Sequence, residues 1–245
     1  MIKQPAYVLH SRPYRETSAM VDLFTPEYGL IRCIARGIKK QTSKGHGLQP
    51  FLAYEIFFHG DGDLKNLDRY ESCELPLLLK GDALFSGFYV NEVILRALRS
   101  EADIEAETLF DSYVAVLNTL NASERDDQVH LEQVLRIFEL TLLEHMGQSY
   151  EWAMDFRTGD YVEPDQYYGF FVEQGMGSVS EIYARKNPKS AFIGEDLIAL
   201  ANQDLSSSST RKMAKRLLRL ALRPIIGYKP IQARELIKQF REIGS

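Results

Sequence analysis

Residues 19–36 read AMVDLFTPEYGLIRCIAR, and this stretch decides the fold. Ala19–Thr25 and Leu30–Arg36 are rich in the β-branched and aromatic residues that suit a pleated, half-buried surface. Between them, Thr25-Pro-Glu-Tyr-Gly29 has the composition of a turn, with Pro presetting one φ and Gly permitting a positive one. Alternation in the second run places Ile31, Cys33 and Ala35 on one face and Arg32, Ile34 and Arg36 on the other. Upstream, Tyr7–Arg12 has the same character. Downstream, so do Ala53–His59 and Leu64–Cys73, joined by Gly60-Asp-Gly-Asp63, a hairpin connection. Five short strands within about 75 residues predict a small closed or partly closed barrel.

From Leu84 the apolar period becomes helical. Tyr89, Val93, Leu95, Ala97 and Leu98 lie near one stripe. Leu109, Tyr113, Val116, Leu117 and Leu120 form a second, and Val134, Ile137, Phe138, Leu142 and Met146 a third. Asp127 or Gln128 starts the third helix and Gly147 ends it. Residues 148–190 lose the period, and recurrent Gly, Pro and Tyr predict an irregular insertion with short strands. The run Ser206–Ser209 reads as a loop. A short helix spans 194–203, a longer one 210–222 is broken near Pro224, and the last, with Pro230 at its start, runs from about Ile231 to Phe240. The expected class is therefore α+β: a β domain over 1–80 and an α-helical domain over 81–245, with a small irregular or β insertion at 148–190.

The net charge of −5 argues by itself against nucleic acid, but the charge is unevenly placed. Residues 1–80 carry 11 Lys and Arg against 9 Asp and Glu, residues 81–184 carry 5 against 20, and residues 210–245 carry 10 against 2. That asymmetry suits an electrostatic DNA footprint, and equally a basic end that neutralises the acidic middle. No run approaches the ~20 apolar residues of a membrane span, and Met1–Ala6 lacks the apolar core of a signal peptide. A cytoplasmic location is expected. Cys33 and Cys73, single and far apart, read as reduced core residues.

Basic side chains gather around the third strand. Arg12 and Arg15 precede it, Arg32 and Arg36 share one of its faces, and Lys39, Lys40 and Lys44 follow, separated by glycines. A basic barrel face with a Lys/Gly loop makes a track for a phosphate backbone. Tyr7, Tyr14 and Tyr54 read as core aromatics rather than base-stacking platforms. The carboxylates Glu151, Asp155, Asp160, Glu163 and Asp165 match no coordination loop. Phosphate-binding loops, GxSxG elbows and HExxH are absent from the sequence. Residues 210–223, TRKMAKRLLRLALR, set Arg211, Lys215 and Arg219 at i, i+4 and i+8. That row of cations beside an apolar stripe suits an acidic peptide ending in apolar residues.

Taken in order, Val8-Leu-His-Ser-Arg-Pro-Tyr-Arg-Glu-Thr-Ser18, Phe24-Thr-Pro-Glu-Tyr-Gly29, Ala35-Arg-Gly37 and Leu48-Gln-Pro-Phe51 resemble the RecO family of bacterial DNA repair proteins. So do Gly87-Phe-Tyr-Val-Asn-Glu92, Arg136-Ile-Phe-Glu-Leu-Thr-Leu-Leu143, Gly147, Leu222-Arg-Pro-Ile-Ile-Gly-Tyr-Lys-Pro230 and Arg234-Glu-Leu236. The resemblance implies an N-terminal OB-fold and a helical C-terminal domain. It implies a recombination mediator rather than an enzyme, one that binds single- and double-stranded DNA and anneals complementary strands. With RecR, such a protein helps load RecA onto DNA covered by single-strand-binding protein, and it docks on that protein's acidic C-terminal tail. The expected DNA contacts are Arg12, Arg15, Arg32, Arg36, Lys39, Lys40 and Lys44. The expected tail contacts are Arg136, His145, Arg211, Lys215 and Arg219. Many family members carry a four-cysteine zinc site in the insertion. Residues 148–190 contain no cysteine, so no structural zinc and no cofactor are expected, and packing of Trp152, Phe156, Tyr161, Tyr167, Phe170 and Phe171 is expected in its place.

Overall fold

A computed structural model describes residues 1–37, 47–98, 106–123 and 127–243. Five strands, β1 (Ile2–Tyr14), β2 (Ser18–Thr25), β3 (Gly29–Ala35), β4 (Ala53–His59) and β5 (Leu64–Ser72), close into a barrel in the order β1-β2-β3-β5-β4. Every pairing is antiparallel except that of β3 with β5. This is the OB-fold arrangement. The inner face takes alternate residues, among them Val21, Leu23, Ile31, Cys33, Ile56 and Phe58. Full burial of such side chains contributes about 1.5–3 kcal/mol each for the larger ones. Between β2 and β3, the Thr25 hydroxyl donates to the Gly29 carbonyl (3.1 Å) and accepts from the Tyr28 amide (3.2 Å), while Gly29 takes a φ of 57°.

Among the described residues the helices are α1 (Gly81–Ala97), α2 (Ala106–Ala122), α3 (Gln128–His145), α4 (Glu181–Lys186), α5 (Gly194–Ala201), α6 (Ser208–Ile226) and α7 (Gln232–Ile243). The chain divides into two compact units, Met1–Leu131 with Lys229–Ser245, and Glu132–Tyr228. The first unit thus joins α1, α2 and α7 to the barrel, although the period of the sequence changes near residue 81.

Within the first unit, buried Asn91 of α1 donates to the carbonyls of Val8 (3.3 Å) and Leu9 (3.5 Å), where β1 bulges, and accepts from the Tyr113 hydroxyl (2.9 Å). Glu92 accepts the amides of Gln232 and Ala233, both at 3.0 Å. A carboxylate at a helix N-terminus satisfies orphan donors and complements the helix dipole. Arg96 pairs with Glu92 and donates to the carbonyls of Lys229 (2.7 Å) and Pro230 (2.6 Å). The last helix begins at Gln232, one residue beyond the Ile231 start expected from sequence, and Glu92 supplies acceptors there.

In the second unit, β6 (Tyr167–Phe171), β7 (Gly175–Val179) and β8 (Ala191–Ile193) form a sheet in the order β7-β6-β8. As expected, Gly147 ends α3. Its φ is 72°, and the Gly147 and Gln148 amides close on the carbonyls of Glu144 (3.0 Å) and Leu143 (2.8 Å). The expected break near Pro224 does not occur: α6 continues to Ile226. Pro224 lies inside the last turn, where it removes the hydrogen bond its N–H would have given to the Leu220 carbonyl. The serine run is only partly loop, because Ser207 caps α6 by accepting from the Ser209 amide (3.1 Å). Ser209 and Thr210 donate to Asp196 of α5, both at 2.8 Å.

Aromatic packing does occupy the insertion. Tyr150, Trp152 and Phe170 cluster with centroids 5.1–6.1 Å apart, and Phe156 meets Phe171 at 5.4 Å with the Arg157 guanidinium against both rings. Tyr161 takes no part, being 80 % exposed. Residues 155–160 are tied to β7 by the Phe156 amide on the Met176 carbonyl (2.8 Å), by the Arg157 guanidinium on the Ser178 carbonyl (3.0 Å), and by Asp155, whose buried carboxylate accepts from the amides of Arg157 (2.9 Å) and Ser178 (2.8 Å). Burial alone would raise its pKa. The two amides and the Arg157 guanidinium outweigh that and hold it below the ordinary carboxylate value. Close approach fixes another position: a Cβ on Gly194 would lie 1.8 Å from the Glu163 carbonyl oxygen.

Cys33 is buried in the barrel, which pushes its thiol up to about 12. Cys73, expected in the core, is exposed, because it lies one residue beyond the end of β5. In the native protein, a thiol reagent at pH 8 is expected to label Cys73 alone, with Cys33 reacting only on unfolding; rapid labelling of both would contradict the closed barrel. Gly194→Ala is expected to cost more than the ~3 kcal/mol of most substitutions, read by urea unfolding through the fluorescence of Trp152, the chain's single tryptophan. A cost under about 1 kcal/mol, within the range of an ordinary substitution, would mean the Glu163 turn simply moves aside. Asp155→Asn is expected to lose about 1–3 kcal/mol near pH 7. Because the folded-state pKa lies below the unfolded one, this stabilisation is complete above about pH 4 and disappears as pH falls through the folded value. Wild type and variant should therefore converge in acid.

Candidate nucleic-acid interface

OB barrels bind oligonucleotides on the β2–β3 face and on the loops that follow β1 and β4. Here the outer face of β1, β2 and β3 has two halves. In one, Tyr7 and Phe24 are covered by α2, their rings 5.3–5.9 Å from those of Phe110 and Tyr113. In the other, two cross-strand rows are not covered in this way: His10–Asp22–Arg32 and Arg12–Met20–Ile34. The strand alternation read from the sequence puts Arg32, Ile34 and Arg36 outside, and they are.

The expected DNA contacts differ in state. Arg12 is exposed and touches the Met20 sulfur at 3.0 Å. Arg32 is one-third exposed and bound to Asp22 by Nε–Oδ1 at 2.7 Å. Arg36 is exposed, reaches Asn66 at 3.4 Å, and stands at the rim of a cavity of about 910 Å³ with Gln49, Tyr54 and Tyr70. Arg15, in the β1–β2 turn, has a φ of 52° and lies 5.3 Å from the Tyr14 ring. Lys39, Lys40 and Lys44 lie outside the described residues. Tyr7 and Tyr54 are buried, and the Tyr54 hydroxyl accepts from the Gln49 amide at 2.8 Å. The β4–β5 loop carries exposed Asp61 and Asp63, which repel phosphate. Of the expected contacts among the described residues, Arg12, Arg15 and Arg36 are exposed, and Arg32 is paired with Asp22. Asp22 escaped the sequence reading, although an acid between Val21 and Leu23 in an apolar strand was a visible signal.

The residues expected to meet an acidic tail separate likewise. Arg136 is 3 % exposed and paired with Glu139 at 2.6 Å. Arg211 is buried and donates to Glu132 (3.4 Å) and to the carbonyls of Leu205 (2.9 Å) and Ser206 (2.5 Å). His145 is half-buried at the end of α3, and Lys215 and Arg219 are exposed on α6. The i, i+4, i+8 row is thus not one surface, because Arg211 turns inward. The outward face of α6 also carries Lys212, Arg216 and Arg223. Its phase is set by the burial of Met213, Ala214, Leu217 and Leu218.

Among the described residues, no group of three His, Cys, Asp or Glu converges as metal ligands, and no helix is long and apolar enough to cross a membrane. Two family models match the chain: Recombination protein O N terminal over residues 1–76 and Recombination protein O C terminal over residues 78–231. Three relatives are each named DNA repair protein RecO. The one from Cellvibrio japonicus is 38 % identical over 95 % of both chains. That from Pseudomonas aeruginosa is 39 % identical over 98 % of this chain and 96 % of its own. That from Idiomarina loihiensis is 38 % identical over 96 % of this chain and 97 % of its own. With the barrel and the helical region both matched, in order and over nearly the full length, the chain belongs to the RecO family of DNA repair and recombination proteins.

Proposed function

We propose that this protein is a DNA-binding recombination mediator that turns over no substrate. It holds DNA on the part of the barrel face that, among the described residues, α2 does not cover, anneals complementary strands and, with RecR, helps load RecA onto DNA coated by single-strand-binding protein. The observation that carries the reading is an OB barrel whose β1–β2–β3 face is closed by α2 on one side and presents Arg12, Arg32 and Arg36 on the other, in a chain of a DNA repair family. Guanidinium groups neutralise phosphates and release counterions without reading sequence. Base edges then stay outward, available to a complementary strand. Lys215 and Arg219 on α6 receive the acidic tail of the single-strand-binding protein. Arg136 and Arg211 act by shaping the helices that carry the tail site, since their charges are already engaged internally.

A second reading, a protein-only adaptor, draws on the carboxylates Asp22, Asp61 and Asp63 in and beside the barrel face. Anisotropy of a labelled single-stranded oligonucleotide over a salt series separates the two. The mediator binds with steep salt dependence. Arg12→Gln with Arg36→Gln, and separately Lys39→Ala with Lys40→Ala, each flatten the slope by about 0.7 for every phosphate left without its cation. A double variant that binds as wild type at every salt concentration removes those residues from the footprint. Absence of binding at low salt, with an acidic tail peptide still captured through Lys215 and Arg219, selects the adaptor.

A further inference from the structure

We propose that Asp22 sets the affinity of the DNA face: its carboxylate holds Arg32 in an ion pair that a phosphate must displace. The inference rests on the reading of that face as the DNA site. His10, Asp22 and Arg32 stand directly opposite one another on three adjacent strands. The carboxylate lies 2.7 Å from Arg32 Nε and 3.7 Å from His10 Nδ1, and Asp22 is only 2 % exposed.

Asp is depleted in strands, and a buried carboxylate is costly unless it is paired. Its effect falls on the arginine. Arg32 keeps a third of its side chain in solvent, enough to reach a ligand, but its charge is engaged before any ligand arrives. In the neighbouring row Arg12 is exposed and contacts a thioether, not a carboxylate. Two arginines on one face are therefore in different states, one open and one masked.

Binding at Arg32 is then an exchange of one ion pair for another. The phosphate gains a guanidinium, Asp22 loses one, and a fixed negative charge stays behind the bound strand. Affinity and net counterion release both fall below what the cation content of the face would give. Weakly held strands can be released and re-registered, which is what pairing two complementary strands requires.

The test compares wild type, Asp22→Asn, Asp22→Glu, Arg32→Gln and the Asp22→Asn/Arg32→Gln double variant, with a labelled single-stranded oligonucleotide across a salt series. Asp22→Asn should bind roughly 3- to 10-fold more tightly at low salt, with a slope steeper by about 0.7, the value of one more phosphate neutralised. Arg32→Gln alone should change the slope by less than half of that. The double variant should match Arg32→Gln, the non-additivity of two groups acting as a pair, and Asp22→Glu should stay near wild type. Steep wild-type binding with no gain in Asp22→Asn overturns the inference and leaves the DNA face standing. If none of the proteins binds at low salt, the DNA reading fails and the inference with it. Should Asp22→Asn not fold, Arg12→Gln and Arg32→Gln decide: the first should flatten the slope by about 0.7 and the second by less than half as much, and equal losses overturn the proposal.

Discussion

The barrel depends on one strand pairing twice. β1 runs for 13 residues, enough for its first half to pair with β4 and its second with β2. A bulge between Val8 and His10 bends it from one neighbour to the other. Without that strand the sheet has two edges; with it, none, and the edge liability of an open sheet disappears. The bulge has a cost, since it disturbs the ladder where Asn91 is needed to bond the Val8 and Leu9 carbonyls. Asn91 in turn places Tyr113, and Tyr113 with Phe110 covers Tyr7 and Phe24. These linked interactions fix which part of the barrel face α2 covers, so that placement is set by the closure of the fold.

The second unit solves a different problem. Its sheet is short, and residues 155–160 are held to β7 by ring packing, by the Phe156 amide on the Met176 carbonyl and by the Arg157 guanidinium on the Ser178 carbonyl. A buried carboxylate bonded to two amides adds to these. Where metals serve in small folds, they bind several segments at one point. Asp155 achieves a similar junction with charge-assisted hydrogen bonds, roughly twice as strong as neutral ones.

Much of the architecture was legible from side-chain period. Alternation and turn chemistry locate all five strands, and the glycine that ends α3 lies where expected, but β1 starts at Ile2 rather than Tyr7, and the half that pairs with β4 was not read. What was not legible depends on partners distant in sequence. Arg211 and Arg136 read as surface cations because helical spacing reports neighbours on one helix, not the carbonyls of Leu205 and Ser206 or the phase in which α6 packs. Pro224 read as a break because the sequence does not reveal that the helix has only two residues left to run. Cys73 read as core because one residue of strand length decides its side. Asp22 became meaningful only once strand register set it beside Arg32 and His10.

The Glu92 and Arg96 clamp has a consequence for how the molecule is made. Its acceptors and donors on α1 are translated early, yet their partners at residues 229–233 come about 130 residues later, the separation seen in the Arg96 bonds. During synthesis the barrel strands leave the ribosome and can pair while residues 132–228 are still being added. Until the last helix arrives, Glu92 and Arg96 lack their partners at residues 229–233. The first unit therefore closes in two stages: a barrel formed from local and mid-range pairings, then a seal whose timing is set by elongation rather than by folding speed.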